Sequence, residues 1–319
     1  MNNTIEEITS ELNKARCVAI FCHARPDGDA LGSGLALCLA LERAGKTAYM
    51  CCEDAPPEKF AFLPEMQRVN RQIPNAEYDL LVSVDCADSA RMGVFSKFYN
   101  KFKKNTINID HHISNDGYGK LNYVIDCSAS CEIMTDILLK AELEITKEIA
   151  DLLMLGLTTD SGNFTHQDVT ENTFKVAGYL RSKGADVNKI NYYTNVRQPK
   201  ARALLFGRVM SCIRFCLDEK LAFIVISEKD MKELGADRSL TEGFVDFPLT
   251  VDDVEVAASL LEYKSGQYKV SLRSKGRVNV NSVAVSFGGG GHVLASGCML
   301  FGELEEVIER LTRAVSLNL

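Results

Sequence analysis

The amino-acid sequence predicts an α/β protein, with an N-terminal domain whose mostly parallel sheet is flanked by helices, joined by a linker to a smaller α/β domain. Three observations predict it. Apolar strand-like runs alternate with amphipathic helical stretches through the first half of the chain. Three of those runs end in histidine or aspartate, as strands that open into a shared crevice do. A polar stretch near residues 185–200 then breaks the apolar period before strand-like runs resume. With 319 residues, the chain is long enough to bury two cores.

The elements follow in order. Thr4-Ile-Glu-Glu7 has the form of a capping box, and Ile5, Ile8 and Leu12 share a helical face, so the chain opens with a short amphipathic helix. Cys17 to Cys22 is a strand, a Pro-Asp-Gly-Asp turn follows, and Leu31, Gly34, Leu35, Cys38 and Leu41 recur at helical spacing up to Gly45, which stops the helix. TAYMCC (47–52), YDLLVSVD (78–85) and NTINIDHH (105–112) read as three more strands, with Asp88 to Lys104 as a crossover. Helical stretches follow from Cys131 to Ala141 and from Lys147 to Leu155, the second delivering a turn from Thr158 to Gly162 that presents Asp160. Thr170 caps and Gly184 ends another helix. We set the domains at residues 1–185 and 208–319, with a linker at 186–207. Beyond it LAFIVIS (221–227), VEVAASLLEY (254–263), YKVSLRS (268–274) and VNVNSVAVSF (278–287) alternate like strands, and Leu304 to Val315 closes the chain as a helix.

Composition narrows the class. Apolar content of 46% and charged content of 25% are those of a globular protein, and no apolar stretch nears the span of a bilayer. The start of the chain lacks the basic and apolar regions of a signal peptide, so a cytoplasmic protein with no membrane partner is expected. Eleven cysteines, odd in number and without a Cys-x-x-Cys pair, read as reduced and mostly buried thiols. A net charge of −7 argues against a protein that tracks along a long nucleic acid by broad attraction. Small phosphorylated substrates remain open, because bound cations would cancel the negative charge locally.

The residues that carry chemistry are His23, Asp27, Asp29, Asp85, His111 and Asp160. Carboxylate and imidazole without thiolate suit Mn²⁺ or Mg²⁺ better than structural zinc. Asp85, central among the strands, is the candidate bridge between two cations. Asp27-Gly-Asp29 fits two readings, a turn that starts a helix or two carboxylates that face different metals. The run Asp110-His111-His112 needs partners once partly buried. Gly288, Gly289, Gly290 and Gly291 before His292 are either a flexible connection or a backbone cradle for a phosphate. Arg273, at the end of a neighbouring strand, is either a bidentate phosphate contact or a solvent-facing side chain.

His23-x-x-x-Asp27-x-Asp29, then Asp85, Asp110-His111-His112 and Asp160, resembles the four-motif signature of the DHH phosphoesterase family, and residues 272–297 resemble its associated substrate-binding domain. The resemblance covers nearly the whole chain, and the short two-domain layout is similar to that of NrnA-type bifunctional enzymes. It implies two Mn²⁺ ions per site, with Mg²⁺ or Co²⁺ as substitutes: His23 and Asp27 on the first, Asp29, His111 and Asp160 on the second, Asp85 on both. His112 would be catalytic at the scissile phosphate, with Asp110 supporting an imidazole. Arg273, Gly288 to Gly291 and His292 would hold the substrate's other phosphate or terminal nucleotide. Implied substrates are short single-stranded RNA or dinucleotides, cut to 5′-mononucleotides by two-metal activation of water, and 3′-phosphoadenosine 5′-phosphate, cut to AMP. Long duplexes are not expected, and a homodimer is left open. Other members of the same scaffold class stay in view: a phosphodiesterase for cyclic or linear dinucleotides such as cyclic di-AMP, and a catalytically silent nucleotide-binding protein. A RecJ-type exonuclease is disfavoured by length and charge, and a family II pyrophosphatase by the glycine-histidine loop.

Overall fold

The computed structural model describes residues 2–319 as two units, one running through Arg197 and the other from Gln198. In the first, helix α1 (Ile5–Lys14) starts with the expected box: Thr4 Oγ1 accepts the Glu7 N–H at 3.2 Å, and Glu7 Oε2 accepts the Thr4 N–H at 2.8 Å. Such a cap contributes about 1 kcal/mol. Strand β1 (Cys17–Phe21), helix α2 (Gly28–Arg43), strands β2 (Thr47–Cys51) and β3 (Leu80–Val84), helix α3 (Ser96–Lys101) and strands β4 (Asn105–Asp110) and β5 (Leu121–Val124) follow. All five strands are parallel, in the order β2-β1-β3-β4-β5. Parallel sheets need both faces covered, and these strands divide their side chains accordingly. Val18, Ile20, Val82, Val84, Ile107 and Ile109 join the core formed with α1, α2 and the helices α4 (Ser130–Lys140) and α5 (Lys147–Asp160). Ala19, Phe21 and Leu81 point the other way, onto Met92, Phe95 and Tyr99.

The strand order reverses between β1 and β3, which is where open parallel sheets form their ligand crevice beyond the carboxyl ends. His23 follows β1 and Asp85 follows β3, so the topology alone sets them side by side. Helix α5 runs through Asp160, five residues past the predicted Leu155, and over its last turns the Thr158 and Thr159 hydroxyls bond back to the carbonyls of Met154 at 2.8 Å and Leu155 at 3.0 Å. Helices α6 (Glu171–Ser182) and α7 (Val187–Asn191) complete the unit. Much of the stretch predicted as linker is thus helical.

The second unit holds α8 (Lys200–Met210), β6 (Arg214–Cys216), β7 (Leu221–Ile226), α9 (Glu228–Leu234), β8 (Val256–Lys264), β9 (Gln267–Ser274), α10 (Val280–Ser286), β10 (Gly290–Gly291), β11 (Ala295–Phe301) and α11 (Leu304–Ser316). Its sheet is mixed, in the order β10-β11-β9-β8-β7-β6. One face packs on α10 and α11, the other on α8 and α9. Residues 278–287, predicted as a strand from their Val-Asn alternation, instead contain helix α10. Asn279 caps it by accepting the N–H groups of Asn281 and Ser282, and Val280, Val283 and Ala284 bury one helical face. The strand that sequence reading placed there lies one step later, in β11.

Candidate metal centre

Three strand ends, one helix start and one helix end build the centre. Beyond β1, the His23 Nδ1–H donates to the Ala24 carbonyl at 2.8 Å. Beyond β4, the His111 Nδ1–H donates to the Cys127 carbonyl at 3.0 Å. A carbonyl only accepts, so in both rings the proton sits on Nδ1 and Nε2 is turned inward as a potential ligand. His23 Nε2 lies 3.5 Å from Asp27 Oδ2 and 3.6 Å from Asp85 Oδ2. His111 Nε2 lies 3.4 Å from Asp85 Oδ1 and 3.3 Å from Asp160 Oδ2. These separations exceed good hydrogen bonds and resemble those between ligands arranged around a cation.

Donor atoms of His23, Asp27 and Asp85 lie within 4.8 Å of one another, and so do those of Asp29, His111 and Asp160. The two oxygens of Asp85 therefore face two groups, Oδ2 toward one and Oδ1 toward the other. The oxygen and imidazole donors fit hard divalent cations, and no thiol belongs to either group.

Asp85 has a φ of 49°, a left-handed conformation that costs a non-glycine residue of order 1–3 kcal/mol. Its N–H is held by the Ile109 carbonyl at 3.0 Å, so the strained turn is fastened to β4. Helix α2 starts at the next ligands: Asp27 caps it, accepting the N–H groups of Asp29 and Ala30, and Asp29 occupies its first turn. The fully buried Asp29 accepts the Ser130 N–H at 2.6 Å and the Cys131 N–H at 2.9 Å, both from the start of α4. A helix N-terminus favours an anion there, and each bond to a charged group contributes about 1.5–3 kcal/mol.

Crowding of like charges shows in the acidities. Burial pushes Asp160 up to about 6, and Asp85 and Asp27 add to it against the pull of His111. Burial likewise raises Asp29, helped by Asp85 and Asp160. His23 and His111 go up to about 10: burial opposes the change, but Asp27 and Asp85 outweigh it at His23, as Asp85 and Asp29 do at His111. Protons thus hold the charge balance that cations would otherwise supply.

Asp110 is fully buried and bonded to His112 Nδ1 at 2.8 Å, while His112 is partly open. Sequence reading missed Ser130, whose hydroxyl donates to Asp85 Oδ1 at 3.2 Å. It lies 45 residues from its partner, and its only sequence signal is a serine beside a helix start.

On the second unit, Arg273 pairs with Ala295 across β9 and β11, and its Nε–H bonds Asp246 at 3.0 Å. The N–H groups of Gly288, Gly289 and His292 already donate to the carbonyls of Val285, Ala284 and Ala295. Glycine serves close approach here: a β-carbon at Gly289 would collide with the Gly297 carbonyl, and one at Gly291 would lie 2.6 Å from that of Ala295. Phe164 stacks on Phe174 with ring centres 5.5 Å apart, and Tyr193 on Phe62 at 4.6 Å.

Residues 17–157 match the DHH family, N-terminal domain, and residues 219–317 match the DHHA1 domain. The chain is 33% identical to a Thermus thermophilus protein named bifunctional oligoribonuclease and PAP phosphatase NrnA, over 93% of this chain and 89% of that one. It is 30% identical to a Streptococcus mutans protein named as the probable equivalent, over 95% and 96%. The crystal structure of an exopolyphosphatase-related protein from Bacteroides fragilis matches with a TM-score of 0.83 and 25% identity, covering 98% of this chain and 95% of that one.

Proposed function

This chain belongs to the DHH family of phosphoesterases, and from that premise we propose that it cuts short oligoribonucleotides to 5′-mononucleotides and converts 3′-phosphoadenosine 5′-phosphate to AMP. The observation that carries this reading is the position of Asp85, with one carboxylate oxygen turned to each of two ligand groups. The names of relatives similar over almost their whole length support the substrate pair.

His23, Asp27 and Asp85 would hold one divalent cation and Asp85, Asp29, His111 and Asp160 a second, with Mn²⁺ preferred and Mg²⁺ or Co²⁺ as substitutes. When bound, the pair would supply Lewis acidity at the phosphate and lower the pKa of water. The protein's own part is orientation. Carbonyl partners on Nδ1 of His23 and His111 keep both Nε2 atoms on the ligand side. His112, tied through Nδ1 to Asp110, directs Nε2 outward to meet the scissile phosphate and steady its developing charge. In the net reaction the oxygen of water joins phosphorus, one P–O ester bond breaks, and the leaving oxygen takes a proton. Arg273, the Gly288–Gly291 segment and His292 would bind a second phosphate or a terminal nucleotide. Eleven free cysteines suit the reducing cytoplasm, where we place the enzyme. No helix is long and apolar enough to cross a membrane among the described residues.

The test is a product panel. Purified protein with Mn²⁺ is given a labelled diribonucleotide, a long single strand, cyclic di-AMP and 3′-phosphoadenosine 5′-phosphate. Mononucleotides from the dinucleotide and AMP from the bisphosphate are expected, with the long strand slower. Turnover of cyclic di-AMP alone would contradict the reading.

A further inference from the structure

His112 is held by a chain of hydrogen bonds that leads back to Asn115. Asp110 Oδ1 accepts from the His111 N–H at 2.9 Å and from His112 Nδ1 at 2.8 Å, and Asp110 Oδ2 accepts from Asn115 Nδ2 at 2.6 Å. The amide of Asn115 has one possible orientation. Its Oδ1 accepts the Gly117 N–H at 2.9 Å, a partner that can only donate, so Nδ2 must face Asp110. Asn108 Nδ2 donates to the same Oδ1 at 2.9 Å, and Asn115 Nδ2 lies 3.2 Å from the carbonyl of Cys86, the residue after Asp85. The Asn115 N–H donates to the His112 carbonyl at 3.0 Å, closing a tight turn. One side chain therefore grips the Asp110 carboxylate and the end of β3, while its backbone grips His112.

Both Asp110 oxygens are met by N–H donors, so the proton in the His112 contact belongs to the ring. His112 then carries a proton on Nδ1, and its Nε2 points away from a fully buried carboxylate. We propose that Asn115 is a positioning residue for the phosphoester reaction: by clamping Asp110 it fixes the direction of the His112 ring, with Nδ1 on the carboxylate and Nε2 turned away from it. This rests on the role given to His112 under the proposed function. The outer partner of a metal-bound imidazole commonly matters by about 10–100-fold in metal affinity or activity, and a loss of the same order is expected for an imidazole held at the phosphate.

Two variants test it. Asn115→Asp keeps an acceptor for Gly117 and nearly the same volume but loses the donor to Asp110; Asn115→Ala removes both. Each is expected to lower kcat by about 10–100-fold with KM within about threefold and Mn²⁺ affinity unchanged. In ¹⁵N-histidine NMR, the His112 Nδ1–H of the wild type should give a hydrogen-bonded proton resonance protected from exchange, and in the variants that resonance should broaden or be lost. Asn115→Asp added to His112→Ala should cost nothing more than His112→Ala alone. An unchanged His112 Nδ1–H resonance in both variants would overturn the proposal, as would a fall in kcat that only tracks lost Mn²⁺ affinity. Should His112→Ala run at the wild-type rate, or the wild type be inert on both substrates, the function reading fails; the Nδ1–H measurement still decides what Asn115 does.

Discussion

At Asp85 a strained backbone, a buried carboxylate and two imidazoles meet, and the histidines hold its pKa well below the usual carboxylate range against the opposing effect of burial. Asp85→Asn keeps the shape and removes the charge. It should abolish Mn²⁺-supported turnover, exceeding the 10–100-fold loss typical of an outer partner, and near-normal turnover in a coupled phosphate assay would contradict it. A second outcome follows from His23 and His111, both raised to about 10. A raised histidine keeps its proton through neutral pH, and a cation must displace it, so cation affinity should climb as pH rises toward about 10. Calorimetric titration at neutral pH in buffers of different ionisation heat should show proton release on Mn²⁺ binding; identical heats would oppose this. Arg273→Ala should raise KM several-fold and spare kcat, since a phosphate contact remote from the reacting bond contributes uniform binding. Steady-state kinetics decides, and a collapsed kcat at constant KM would argue otherwise. The six ligand candidates were legible because each ends an apolar run or sits in a turn. Ser130 and Asn115 were not, because their partners are chosen by the fold: nothing near Ser130 in sequence points to Asp85, and Asn115 is one polar residue among several in the loop between β4 and β5.

Helix packing decides whether those ligands meet. Helices α2 and α5 cross where Gly156 faces Asp29, and a β-carbon there would lie 2.6 Å from Asp29 Oδ1 and collide with Cys131 Sγ. Gly156→Ala should thus push α5, which carries Asp160, away from Asp29. Overpacking costs about 1–3 kcal/mol, so a lower Tm together with weaker Mn²⁺ binding is expected. Thermal denaturation and metal titration check it, and a variant as stable as wild type with full affinity would show that the crossing has slack. Most elements of the parallel sheet were legible, since its strands are apolar runs bounded by turn residues. Residues 278–287 were misread for a physical reason: Val278, Val280 and Val283 satisfy a two-residue alternation at first and a helical face later, and only the Asn279 cap settles the choice. Strand β11 went unread because Ser296 and Gly297 dilute its apolar signal, although its side chains alternate regularly between buried and partly exposed.

Each unit has cores of its own, and every candidate metal ligand belongs to the first. Cation binding should therefore stabilise the first unit. At a concentration 100 times Kd the gain is about 2.7 kcal/mol. Scanning calorimetry of the full chain should show Mn²⁺ raising the transition of the first unit and leaving that of the second in place, whereas equal shifts would tie the two units together energetically. That the chain divides was legible in its loss of apolar period after residue 185; that the dividing stretch is itself helical was not, because short helices such as α7 bury few residues and leave a faint pattern. The most direct measurement is anomalous diffraction at the manganese edge from a crystal soaked in Mn²⁺. The account predicts two peaks about 3.5–4 Å apart flanking the Asp85 carboxylate, one beside His23 and Asp27 and the other beside Asp29, His111 and Asp160. A single peak, or a pair elsewhere, would contradict it.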